Sequence, residues 1–99
     1  MLTNDNVSVI ETKQNSQGQL VVRYGFKNRE GVGLSAVSLR EVAPFAYDIC
    51  IYNTDKNDVV TTNLFPYGDP YWESACQEDL DFLIEKLSSD EEIIFKGTV

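Results

Sequence analysis

The sequence predicts a small α+β domain in which a mostly antiparallel sheet packs on one long helix in the C-terminal third. Three observations carry that expectation. Two pairs of β-rich runs are each joined by a short polar turn, a leucine ladder at helical spacing follows them, and an apolar run with an aromatic closes the chain. Ninety-nine residues suffice for one modest core and not for a cleft between two lobes, so residues 1–99 are expected to form a single domain.

The first pair is "NVSVIET" and "QLVVRYGF", separated by the turn formers of "KQNSQG". In its second run Leu20, Val22, Tyr24 and Phe26 alternate with Val21, Arg23 and Gly25, which makes the first set a core face. Residues 29–45 are ambiguous. Gly31 and Gly33 suggest a loop needing unusual backbone angles, and Ser35 followed by "AVSLREV" suits either a short helix stopped by Pro44 or a strand.

The second pair, "FAYDICIYN" and "DVVTTNLF", flanks the polar turn "TDKN" and places Tyr47, Ile49 and Ile51 on one face. "PYGDP" interrupts the strand pattern. Asp69 followed by Pro70 then predicts a helix start, with the carboxylate as cap and proline in the first turn, and the helix is expected to reach about Ser88. Trp72, Cys76, Leu80, Leu83 and Leu87 share its apolar stripe, with Ile84 beside them. Glu73 falls where a helix dipole favours an acid, and Asp79 borders the stripe. "EEIIFKGTV" predicts a last strand.

Chemistry is bounded mainly by what is missing from the composition. No histidine is present, which removes imidazole-based acid–base catalysis and a histidine zinc site. Cys50 and Cys76 lack the spacing of a CxxC motif and are expected to be two buried thiols. "DKND" resembles a piece of a calcium loop without its central glycine and terminal glutamate, and "GVGL" lacks the rest of a phosphate-binding fingerprint. No enzyme activity, cofactor or metal is expected. Residues 1–10 carry neither a basic n-region nor an apolar h-region, so a soluble, cytoplasmic protein is expected.

Charge supplies the positive signal. The net charge is −8, and nine of the sixteen acids but two of the eight bases lie from residue 66 onward, so nearly all the imbalance belongs to the C-terminal third. Direct contact with nucleic acid or an anionic membrane is disfavoured, and a basic protein partner is favoured. On the predicted helix the stripe opposite the leucines holds Tyr71, Glu78, Asp81, Phe82 and Glu85, carboxylates three or four positions apart around an aromatic anchor. These five residues are the expected partner-binding face. The aromatic run "FPYGDPYW" is expected to fold onto the core as a rigid connection.

In size and charge the chain is similar to small acidic inhibitors of basic proteins, such as immunity proteins that block nuclease toxins and nucleic-acid mimics that occupy a nucleic-acid-binding groove; the likeness is one of class. It implies a non-catalytic domain that neutralises a basic partner. The alternative is a structural or adaptor domain that pairs with itself into a homodimer through a sheet edge at residues 91–99.

Overall fold

A computed structural model describes residues 5–39 and 46–98. Both expected hairpins form: β1 (Val7–Gln14) with β2 (Leu20–Phe26), and β4 (Tyr47–Asn53) with β5 (Asp58–Thr62). The ambiguous stretch resolves as a strand, β3 (Val32–Ser38), antiparallel to both β2 and β4. Pro44, the expected stop of the helical alternative, lies outside the described residues. Gly31 does take a left-handed φ of 82°, but Gly33 sits inside β3 for a different reason. A Cβ there would come within 2.5 Å of the Tyr52 ring, which lies across the strand.

The sheet runs in the order β1-β2-β3-β4-β5-β7, with β7 (Phe95–Thr98) as the expected last strand on the far side of β5. β4 has two further neighbours along its second edge. Its C-terminal half pairs with β5 through Ile51 and Val60, while its N-terminal half pairs with β6 (Tyr71–Ala75) through Cys50 with Tyr71 and Ile49 with Trp72. One antiparallel ladder therefore passes from β5 to β6, and residues 61–70 leave it between two successive β4 positions.

This pairing corrects the expected helix start. The helix, α1, spans Gln77–Ser88 and not 70–88, and residues 71–75 are strand. An aromatic pair after a proline suits a pleated surface, and burying Trp72 between exposed Tyr71 and Glu73 satisfies a period of two as well as a period of 3.6. The unfilled edge of β4 decides between them. Cys76 accordingly is no member of the apolar stripe: it is the exposed N-cap of α1, and Ala75 is the buried residue. Glu73 is on β6, away from the dipole position assigned to it. Asp79 proves to be the capping side chain, its Oδ2 accepting from the Cys76 N–H at 3.0 Å and from Cys76 Sγ at 3.2 Å.

The leucine ladder is core from Leu80 onward. Leu80, Leu83 and Leu87 are buried with Phe26, Leu34, Ala36, Ile49 and Ile51, so α1 lies over the centre of the sheet, with Tyr24, Trp72 and Ile84 partly buried around it. Its C-terminus is held by residues far away in sequence. Arg29, in the β2–β3 turn, donates from Nε to the Leu87 carbonyl at 2.8 Å and from Nη2 to the Ser89 carbonyl at 2.9 Å. Asn28 Nδ2 reaches the same two carbonyls, and Asn6 Nδ2 reaches Ser88 O at 3.0 Å. Cationic donors at the carbonyl end of a helix satisfy groups that have no partner inside it and oppose the negative end of its dipole.

Replacing Arg29 by methionine removes the donors and keeps the apolar stem. It is expected to cost about 2 kcal/mol of unfolding free energy in urea denaturation, within the range for hydrogen bonds made by a charged group. Arg29→Lys should recover less than half of the loss, since one ammonium cannot span both carbonyls.

Candidate partner-binding surfaces

Four of the five expected face residues lie together on α1. Glu78, Asp81, Phe82 and Glu85 are all exposed on the side opposite Leu80, Leu83 and Leu87. Phe82 retains 41% of its surface in solvent, and the cover it has comes partly from Lys86, whose Nζ stands 5.7 Å from the ring centroid. That lysine is held elsewhere: its Nζ pairs with Glu91 Oε2 at 2.9 Å. Asp81 accepts from Gln77 Nε2 at 3.0 Å. Among the described residues no cation pairs with Glu78, Asp81 or Glu85. The face is an acidic field around an apolar ring.

Tyr71 does not join that face. The strand register puts it opposite Cys50, in the row Glu11, Arg23, Ser35, Cys50, Tyr71 that crosses the sheet on the side away from α1. It belongs to a second surface, the excursion of residues 61–70 and the start of β6. Here the expectation for "FPYGDPYW" divides. Phe65 and Trp72 do fold onto the core, meeting edge to face at 5.8 Å and closing the base of the excursion. Tyr67 and Tyr71 do not: they are 99% and 49% exposed.

The tip is built as a tight turn. Pro66 takes the second position, Tyr67 the third with φ 58°, and the Gly68 N–H donates to the Phe65 carbonyl at 3.2 Å. The third position of such a turn favours glycine or asparagine, and in this chain the glycine comes one residue later, itself at φ 69°. A tyrosine is thus held in the left-handed region while its ring touches solvent on every side. A sequence reading that weighs the prolines and the glycine finds the turn; the exposure of Tyr67 depends on where β4 sends the chain.

Between the tip and β6 lies an open groove of about 580 Å³, lined by Tyr67, Asp69, Pro70, Tyr71, Trp72 and Glu73. By contrast the cleft between α1 and β2, where the Tyr47 hydroxyl donates to Gln77 Oε1 at 2.7 Å, holds about 120 Å³. That is below the size of most small-molecule sites. On the far side of the sheet Arg23 lies 4.9 Å over the Tyr52 ring, 3.4 Å from Glu11 and within reach of Asn57 Oδ1, so its charge has a partner while its buried Nε makes no hydrogen bond among the described residues. Cys50 is half-buried, in contrast to Cys76, so one of the two expected buried thiols is exposed. No group of three or more acidic or cysteine ligands among the described residues could hold a metal ion, and no helix there is long and apolar enough to cross a membrane.

Burial raises the pKa of Tyr24 above its ordinary 10.0, with Tyr47 and Asp81 adding to the effect. It raises Tyr52 likewise and Cys50 above 9.0, in both cases against the opposing pull of Arg23. All three groups hold their protons more tightly when folded. Stability from them is complete below the unfolded values and lost as pH rises through 9.0 to 10.0 and beyond. A urea series in alkaline buffers should show a midpoint that is flat below pH 9.0 and falls as pH rises through 9.0 to 10.0 and beyond. Tyr67→Gly, which removes the left-handed strain at a site without packing, is expected to raise stability by about 0.5–1 kcal/mol in the same assay.

Comparison with protein-family models, with curated proteins and with solved structures finds no significant match for this chain.

Proposed function

We propose that this protein is a non-catalytic acidic binding protein that neutralises a basic protein partner. The observation that carries the reading is Phe82, 41% exposed and only partly covered by Lys86, in the middle of Glu78, Asp81 and Glu85 on the outer face of a helix clamped at its C-terminus. An exposed aromatic within a ring of carboxylates is the anatomy of an apolar anchor with a charged rim. Mutual repulsion among the three acids costs a few tenths of a kcal/mol per neighbouring pair, and it is relieved when lysines or arginines of a partner arrive. The same field raises the rate of encounter with a positively charged surface.

The kind of partner follows from the charge. A nuclease or another nucleic-acid-binding protein must present a positive cleft to its polyanion, and an ordered set of carboxylates can occupy or cover that cleft. Inhibitors of the immunity-protein or nucleic-acid-mimic class work in this way, and the fold supplies a stable platform for it. Self-pairing through a sheet edge is the alternative, and it is supported by β7 having, among the described residues, one strand partner, β5.

Changing Glu78 and Glu85 to glutamine and Asp81 to asparagine together should leave the urea midpoint unchanged or slightly higher. Affinity for a basic nuclease domain captured at low salt should fall about tenfold or more, and Phe82→Ala should weaken it further. Full affinity in the triple variant would overturn the site. Sedimentation separates the two readings: a monomer that takes up the basic protein and releases it at high salt favours the acidic helix, and a tight dimer indifferent to salt favours the edge.

A further inference from the structure

The groove at the tip of the 61–70 excursion is a second surface, and it differs from the helix face in kind. We infer that it accepts an arginine side chain from an extended segment of the basic partner, the guanidinium stacking on Tyr67 between Asp69 and Glu73. The inference rests on the basic-partner reading and adds to it a separate point of contact with its own chemistry.

Three observations converge on an arginine. The charged residues lining the groove, Asp69 and Glu73, are both acidic. Its two exposed rings, Tyr67 and Tyr71, offer π-faces to a cation, and a planar guanidinium can stack on one while bonding a carboxylate through two N–H groups. None of these four side chains makes a hydrogen bond or ion pair with another described residue, so nothing described competes for the incoming group. The platform is also fixed from below: Pro66 and Pro70 restrict the backbone, Trp72 and Phe65 lock the base against the core, and the Asp69 N–H donates to the Pro66 carbonyl at 3.1 Å. A backbone already held in place loses little conformational entropy on binding.

Size agrees with the assignment. About 580 Å³ of open groove is room enough for one arginine side chain with its neighbours. Lysine would gain the charge contact and lose the planar stacking.

The test is a titration of the full chain with a capped hexa-arginine peptide, followed residue by residue through backbone amide resonances, with capped hexa-lysine and hexa-glutamate as controls. The expected result is a saturable shift of residues 67–73 with arginine, weaker with lysine and absent with glutamate. Tyr67→Gly should weaken it about two- to fivefold, the value of one exposed cation–π contact. The neutralised helix variant should keep it. Shifts confined to residues 78–85 would overturn the groove and leave the helix reading standing. Equal weak shifts in the wild-type protein and Tyr67→Gly, or concentration-dependent shifts at 67–73 without peptide, would also overturn it. A saturable response at 67–73 beside a failed capture by the helix would support the groove and remove the helix.

Discussion

The arrangement depends on how the second edge of β4 is filled. Ile49 and Ile51, both fully buried, make β4 the centre of the core, and a central strand cannot leave one edge of its backbone unpaired. β5 covers only the part from Ile51 to Asn53. The remaining part takes the next stretch able to lie flat and bury an apolar side chain, and that stretch is Tyr71–Ala75. Once Trp72 is paired with Ile49, three consequences follow. The residues between leave the β4 edge, first as the end of β5 paired with β7 and then as a loop from residue 63 to 70, Tyr71 turns to the outer side of the sheet, and the helix cannot begin before Cys76.

The helix is secured at both ends by groups outside its apolar stripe. Asp79 closes the first turn from within, while Arg29, Asn28 and Asn6 hold the last carbonyls from the strand side of the molecule. The outer residues therefore need not supply the packing that holds the helix in place. Glu78, Asp81, Phe82 and Glu85 contribute nothing to the core, and their arrangement is free to answer a partner. The same separation holds in the 61–70 excursion, where Phe65 and Trp72 carry the packing and Tyr67 and Tyr71 are left to solvent.

The two hairpins, the leucine ladder and the closing strand were legible because each is a local pattern: alternation across a turn, or leucines at a helical period. The acidic face was legible from Glu78 onward for the same reason. Residues 69–76 were misread because proline, an acid and aromatics at the start of an apolar period suit a helix terminus and a strand equally well. Residues 29–39 resisted reading because Gly33 is set by a ring arriving from another strand. Arg29 gave no signal at all, since its partners lie 58 and 60 positions further along the chain.

The sequence by itself determined the α+β class, the apolar face of the helix from Leu80 onward, the absence of histidine chemistry, and the acidity of the last third. Each of these is a property of composition or of a short window. Only the tertiary structure decided that Tyr71 and Phe82 belong to different surfaces, that Cys76 caps a helix, and that Tyr67 stands free in solvent. Those outcomes turn on which strand edge needs a partner, a demand set by distant hydrogen-bonding groups that no local pattern records.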